Sequence, residues 1–305
     1  MAASKEGSNS KSASGQQNPL RGSIVLEDAE ILGNEAYAGE QYVMRLLAPV
    51  TAAKAQPGSF VHLRCDANLH MRRPMSIMRA SPDNGWIEIL YKIHGRGTQH
   101  LAACQIGETL STLGPIGQSF RLSRYRPKPL LIGGGVGIPP MIFLADHMRT
   151  ISESLEPLVL MGSEIPFPFT ARPSQVLATG IPEGTIAAMP LLDDWEIASR
   201  LASRQGYPGC HNGYVTDLAR AFLSDSDVNA IEIFACGPTA MLREVALLAQ
   251  EFNLPCEVSL EEYMACAVGG CAGCTVGIRT ANGLAMKRVC VDGPVFDAAT
   301  VVFPE

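Results

Sequence analysis

Leu130-Leu131-Ile132-Gly133-Gly134-Gly135-Val136-Gly137-Ile138-Pro139-Pro140 carries an uncharged, apolar run through four glycines into a segment that opens with two prolines. The run is too short and too broken to span a bilayer. It reads as a strand buried on both faces, a tight turn and the start of a helix, since proline suits the first helical turn. Glycines there would let a phosphate approach the backbone, and a helix N-terminus offers free N–H groups and a positive dipole end. The pattern departs from G-x-G-x-x-G, because Pro140 stands at the last glycine position, so the turn alone leaves nucleotide binding open.

Downstream, Leu158-Val159-Leu160 reads as a second buried strand, and Ile231-Glu232-Ile233-Phe234 leads into a helix over Thr239 to Gln250. Strands alternating with helices predict an α/β domain with a parallel sheet over residues 127–252. Cys236-Gly237-Pro238 falls at a strand's carboxyl end, where ligands of open α/β sheets sit, although such a tripeptide is commonly only packing and turn. Glu164, just beyond the second strand, stands where a carboxylate could bond a ribose 2′-hydroxyl and repel a 2′-phosphate, which favours NAD(H) over NADP(H).

Upstream, residues 23–126 show short β-prone runs broken by Gly and Pro: Tyr42 to Leu47, Ser59 to Arg64, Trp86 to Ile93 and Phe120 to Leu122. They predict a small antiparallel β-barrel. Within it, Arg72-Arg73-Pro74-Met75-Ser76 supplies a guanidinium able to fork onto phosphate oxygens, with a hydroxyl three residues on. Leu90-Tyr91-Lys92 and Gly95-Arg96-Gly97-Thr98 add an aromatic body and a glycine turn. Taken singly, each of these is more often a surface charge, a core tyrosine or an ordinary turn.

Residues 253–305 are rich in Cys and Gly and lack a periodic apolar stripe. Cys266-x4-Cys271-x2-Cys274-x15-Cys290 has the spacing of a plant-type [2Fe–2S] site. A structural zinc site would instead favour two short Cys/His pairs. Gly269, Gly270 and Gly273 are expected to take the strained turns that let thiols converge and to aim N–H groups at sulfur. A bound inorganic centre is expected to replace the missing core of this small segment. The isolated Cys65, Cys104, Cys210 and Cys256 read as small buried hydrophobes.

The 305 residues allow two domains and a small third, and 47% apolar with 18% charged content is ordinary for a globular protein. A net charge of −6 without a long basic cluster argues against nucleic acid as a partner. Residues 1–22 are rich in Ser, Gln, Asn and Gly, lack a secretory apolar core and are expected to form a disordered tail. Clustered thiols in a chain without an export signal point to the cytoplasm and to metal rather than disulfides, and no membrane span is expected.

The order of Arg-Pro-x-Ser in a barrel, Gly-Gly-Gly-x-Gly-x-x-Pro, Cys-Gly-Pro and four spaced cysteines resembles the ferredoxin–NAD(P)+ reductase superfamily. Leu260-Glu261-Glu262-Tyr263-Met264-Ala265-Cys266 and Lys287-Arg288-Val289-Cys290-Val291-Asp292-Gly293-Pro294 narrow the resemblance to electron-transfer subunits of dihydroorotate dehydrogenase B, and it covers the chain after the tail. The resemblance implies that Arg73, Pro74, Met75, Ser76, Leu90, Tyr91, Lys92, Gly97 and Thr98 contact FAD, with Arg73 at phosphate and Ser76 near the flavin's reactive edge. It implies that Gly133, Gly134, Gly135 and Gly137 cradle the phosphates of NAD(H), and that Cys236, Gly237 and Pro238 lie beside its nicotinamide. Cys266, Cys271, Cys274 and Cys290 would bind the iron, and a catalytic FMN-containing subunit would complete a hetero-oligomer of pyrimidine biosynthesis. No catalytic acid or base is expected. Two rivals share these residues: a reductase component serving an oxygenase, a ferredoxin or a sulfur reductase, and a cluster-bearing redox sensor.

Overall fold

The computed structural model describes residues 23–121 and 126–304. The expected tail over residues 1–22, and Leu122, lie outside the described residues. Six strands, β1 (Val25–Tyr37), β2 (Gln41–Leu47), β3 (Phe60–Leu63), β4 (Arg73–Ser81), β5 (Trp86–Lys92) and β6 (Thr109–Ile116), close an antiparallel barrel in the order β1-β2-β5-β4-β3-β6. Two short helices, α1 (Pro49–Lys54) and α2 (Arg96–Ala103), decorate it. Phe120 is not part of a strand; its ring packs edge-on against Phe234.

Strand alternation decides what each barrel residue can reach. On β5, Ile87, Ile89 and Tyr91 point into the barrel core, while Leu90 joins the cluster shared with the second domain. On β4, Met75 and Ile77 point in, and Met78 points out.

The second domain is built on β7 (Lys128–Gly134), α3 (Ile138–Ile151), β8 (Leu158–Gly162), α4 (Pro190–Asp194), β11 (Ala198–Ala202), α5 (Val215–Ser224), β12 (Ile231–Cys236) and α6 (Thr239–Glu251), with β9 (Arg172–Pro173) and β10 (Ala187–Ala188) forming a small ribbon. The chain continues through β13 (Cys256–Ser259), the hairpin β14 (Thr275–Thr280) and β15 (Gly283–Arg288), and β16 (Val295–Asp297). One six-stranded sheet runs β11-β8-β7-β12-β13-β16, parallel except for β16. The direction of strand order reverses between β7 and β12, which opens a crevice at their carboxyl ends.

Met264, Ala267, Cys274, Ile278, Val289 and Cys290 are buried in the same apolar cluster as the sheet residues Leu130, Ile233 and Val258. The cysteine segment therefore does not lack a core, contrary to the expectation from its composition: it borrows the sheet's.

Helix α3 binds the two domains together. It is buried almost all round, and its Phe143 enters the barrel cluster. At the rim of this seam the guanidinium of Arg45 lies 4.5 Å from the Trp86 ring, Arg79 lies 5.3 Å from Trp86 and 5.5 Å from Trp195, and Arg149 lies 4.6 Å from Trp195. Buried Glu88 holds Arg45 at 2.6 Å and Arg79 at 3.2 Å, fixing the ladder from the barrel side.

Candidate functional site

The two glycine motifs, a hundred residues apart in sequence, meet at the switch point. β7 and β12 pair Gly133 with Cys236. A Cβ on Gly137 would stand 2.4 Å from the Cys236 carbonyl and the Gly237 nitrogen, and one on Gly134 would stand 2.5 Å from Met241 Sδ and 3.1 Å from Pro238. Gly133 is closed off by Ile138 at 3.0 Å, and Gly237, at φ +158°, by Met241 at 2.6 Å. Gly135 differs: its φ is +54°, and no atom lies within 4 Å of an added Cβ. Of the four glycines in the turn, three are required by protein packing, and Gly135 faces open space where a phosphate could approach.

Cys236 is completely buried, and its Sγ lies 3.9 Å from a Glu261 carboxylate oxygen. Burial, then the neighbouring Glu261, pushes the Cys236 thiol well above the usual range, and burial likewise raises the Glu261 carboxyl. The Cys236 thiol is thus held in its neutral, protonated form, while the Glu261 residue keeps exposed surface. Glu261 was not singled out from sequence; a glutamate pair closing an otherwise apolar run before Cys266 was the available signal.

Glu164 follows β8, as expected, but it is not alone. Arg204 Nη2 lies 3.2 Å from its carboxylate and Gln205 Nε2 at 3.3 Å, and the Arg204 side chain lies over Tyr214. The Arg204 bond lowers the Glu164 pKa. A paired carboxylate repels a 2′-phosphate less than a free one, because the guanidinium beside it attracts the same phosphate.

In the barrel, Arg73 reaches across to the start of α2. Its Nη1 donates to the carbonyls of Met71 and Arg72, and the rest of its fork has no protein partner among the described residues. A Cβ on Gly97 would stand 3.0 Å from Arg73 Nε, so glycine is what lets the guanidinium lie over the helix start. A free fork beside that helix end fits an anionic phosphate group. Pro74 and Ser76 are half-buried on the outward face of β4, and Lys92 is half-buried at the end of β5.

Four proposed contacts sit differently. Tyr91 lies inside the barrel, stacked on Tyr42 at 5.4 Å, with its hydroxyl donating to Asn34 Oδ1 at 3.0 Å. Met75 also points inward. Thr98 Oγ1 accepts from the His94 N–H at 2.6 Å and donates to Gly95 O at 3.2 Å, closing the turn before α2. These three side chains are committed to the protein, so they can offer a cofactor backbone or shape rather than free polar groups. Leu90 faces outward and lines a cavity of about 250 Å³ between the barrel and α3, together with Met78, Ile138 and Ile142. Another cavity, of about 710 Å³, opens at the amino ends of β7, β8 and β11, the wrong end of the sheet for a nucleotide.

Between Cys266 and Cys274 the left-handed backbone positions are Ala267 (φ 55°), Gly269 (φ 82°) and Ala272 (φ 53°). Gly270 and Gly273, expected to carry the strain, do not; two alanines directly following Cys266 and Cys271 do. That twist aims amides back at sulfur: Cys271 N–H donates to Cys266 Sγ, and Gly273 N–H to Cys271 Sγ, each at 3.4 Å. Burial raises the Cys266 pKa, but hydrogen bonds from Cys271, Val268 and Gly270 outweigh it and bring it down to about 7. Burial and the adjacent Cys274 thiol push Cys290 up to about 12. Among the described residues no three Cys, His, Asp or Glu side chains gather around a single point. The four thiols are nonetheless neighbours, Cys266 interacting with Cys271, and Cys290 with both Cys274 and Cys266, a donor set that fits the four thiolates of a [2Fe–2S] centre.

Comparison with known proteins bears on the same regions. The family model described as an oxidoreductase FAD-binding domain matches residues 29–120, and the iron–sulfur cluster binding domain of dihydroorotate dehydrogenase B matches residues 261–302. The dihydroorotate dehydrogenase B (NAD(+)) electron transfer subunit of Caldanaerobacter subterraneus subsp. tengcongensis is 30% identical over 275 residues, 90% of this chain and 98% of that protein. The chain belongs to this family. The subunit of the same description from Bacillus caldolyticus is 33% identical over 284 residues, 92% of this chain and 99% of that one. Among solved structures, an NADH-dependent reduced ferredoxin-NADP oxidoreductase has a TM-score of 0.72 at 24% identity, covering 91% of this chain and 90% of its own, and shares the fold. As a member of the family, the chain is an electron-transfer subunit with an FAD-binding domain and an iron–sulfur domain. No helix among the described residues is long and apolar enough to cross a membrane.

Proposed function

We propose that this chain passes electrons between NAD(H) and a catalytic FMN-containing dihydroorotate dehydrogenase subunit in the cytoplasm. In this reading residues 23–126 hold FAD, residues 127–252 hold the nucleotide, and residues 253–305 hold a [2Fe–2S] cluster. When bound, nicotinamide supplies hydride chemistry, flavin exchanges one or two electrons, and the cluster exchanges one. The observation that carries the reading is the meeting of the Gly133–Gly137 turn with Cys236-Gly237-Pro238 at the switch point, with Glu261 tying that junction to the cysteine segment.

The chain's own residues divide the work. Arg73 would take a flavin phosphate over the start of α2, where Gly97 leaves it room. Gly135 would admit a nucleotide phosphate to the turn, while packed Gly134 and Gly137 hold the turn against Pro238 and Cys236. Buried Cys236 keeps its proton and excludes water beside the site, so it is not asked to act as a base. The amides of Cys271 and Gly273 would stabilise thiolate at Cys266 and Cys271. Cys271 is exposed, and Tyr263, 89% exposed, and Val268, 51% exposed, stand on the same segment, which suits a face covered by a second subunit.

The test is to purify the chain anaerobically, measure flavin, iron and acid-labile sulfide, and assay NADH-dependent dye reduction and dihydroorotate oxidation before and after adding the FMN subunit. Dye reduction alone at first, and dihydroorotate turnover on addition, is the expected result. Dihydroorotate turnover by the isolated chain would defeat the reading, and dye reduction that never couples to that subunit would point to a reductase with another partner.

A further inference from the structure

The cysteine segment leaves the sheet after β13 and rejoins it at β16, yet near both ends it touches the barrel. Gln118, just beyond β6, donates its backbone N–H to Gly293 O at 2.6 Å and its Nε2–H to the Val291 carbonyl at 3.2 Å. Val291 directly follows Cys290. Beside it, a Cβ on Gly117 would stand 2.4 Å from Pro294 Cδ, so the two backbones are in close contact there.

At the other end stands His62. Val61 and Leu63 of β3 fill the barrel, so by alternation His62 faces outward with Phe60, toward the cluster of side chains that includes Met264. It is completely buried, and burial, then the charge of Arg72, holds its pKa down to about 4, leaving the ring neutral. The Met264 backbone lies beside the ring, two residues before Cys266, but neither ring nitrogen completes a hydrogen bond. An unpaired buried imidazole costs about 1–3 kcal/mol against an apolar side chain of its size, so space-filling alone does not account for it.

We propose that Gln118 and His62 are positioning residues that register the two ends of the cysteine segment on the flavin barrel, and so set the coupling between the FAD and cluster sites. This rests on the functional reading above. The strand pairing of β13 with β16 joins the segment's ends to each other; the two hydrogen bonds of Gln118 tie one end to the domain with which electrons must be exchanged, and the buried His62 ring is packed beside the other.

The experiment uses the full chain, purified anaerobically, with Gln118→Leu and His62→Leu made singly and together and His62→Gln as the conservative variant. Three quantities are read: loss of the iron–sulfur absorbance in the presence of a chelator, the electron paramagnetic resonance spectrum of the reduced cluster, and the rate of flavin-to-cluster electron transfer. The double variant is expected to lose the cluster about 10-fold faster, the scale seen when outer-shell partners of metal ligands are removed. Its resonance should broaden and its flavin-to-cluster transfer should slow. Flavin content and NADH reduction of the flavin should stay as in the unmodified chain. The thermal midpoint should not fall and should rise with His62→Leu, which removes an unpaired buried imidazole, and His62→Gln should recover most of the His62→Leu loss in cluster retention. Unchanged cluster retention, resonance and transfer in the double variant would overturn the proposal. So would a parallel fall in flavin content and thermal midpoint, which would mark a general folding role. An unmodified chain without flavin or iron would instead overturn the reading beneath it, and the proposal with it.

Discussion

Two glycine-rich turns stand at the functional end of this molecule, and glycine serves a different purpose in each. In the turn after β7, Gly133, Gly134 and Gly137 are glycine because protein atoms press against them, at 2.4 Å in the case of Gly137. In the cysteine segment, Gly269 is packed in the same way, 2.5 Å from Val291, but Gly270 meets nothing within 4 Å of an added Cβ, and two of the left-handed positions belong to alanine. The first turn is shaped by packing and the second by amides aimed at sulfur. Composition alone makes them look alike.

The harshest test of the contrast is Gly137→Ala against Gly135→Ala. The first forces a methyl into the Cys236–Gly237 peptide and should cost about 3 kcal/mol or more of stability, measured by urea unfolding. The second meets no atom and should cost about 1 kcal/mol for its left-handed backbone, yet it should weaken NADH binding about 10-fold by blocking the approach of phosphate. Equal stability losses in the two variants would collapse the distinction. Next in size, Cys271→Ser should abolish stoichiometric iron while NADH still reduces the flavin at about half the normal rate or better, because the hydride step needs no thiolate. Joint loss of flavin reduction and iron would show that the two turns work as one unit.

A smaller effect is expected at the paired carboxylate. Arg204→Ala frees Glu164 and should raise the preference for NADH over NADPH about 10-fold, and Glu164→Ala, freeing Arg204, should move it the other way. Steady-state kcat/KM ratios decide; if neither variant shifts the ratio, the adenosine ribose does not reach this pair.

A last effect, on stability rather than on nucleotide choice and remote from both turns, lies at the far end of β12. Glu232 is 6% exposed with Oε1 unpartnered, and burial raises its pKa from 4.5 to about 7. Between those values the folded chain retains a proton that the unfolded chain has lost, so stability falls as pH rises from about 4.5 to about 7. Glu232→Gln should therefore be about 2 kcal/mol more stable than the parent at pH 8, with the gap closing below pH 4.5. A pH-independent gap would mean that Glu232 does not titrate in that window.

What could be read from the sequence was local. β7, the turn, β12 and α6 announced themselves because a strand buried on both faces is apolar throughout, and the four cysteines did so because ligand spacing is a short-range pattern. β1 was missed: of its thirteen residues only Ala29 and Ile31 are fully buried, and Glu, Asp, Asn and Gly hide the alternation. Tyr91 entered the FAD set through the family resemblance, and the sequence did not show that its side chain turns into the barrel, stacked on Tyr42, leaving its backbone as what it can offer a cofactor. Pairings across the fold left no signature, among them Glu261 with Cys236, Arg204 with Glu164 and Gln118 with Val291, since nothing in either partner's neighbourhood names the other.

The ladder of Arg45, Trp86, Arg79, Trp195 and Arg149 has an optical consequence. The chain has two tryptophans, one on each domain, and both stand in that ladder. Its ultraviolet emission therefore comes from a single seam. Parting of the barrel from the α/β domain would rehydrate both indoles and shift the emission to the red. Release of the cysteine segment, which contains no tryptophan, would leave the spectrum still.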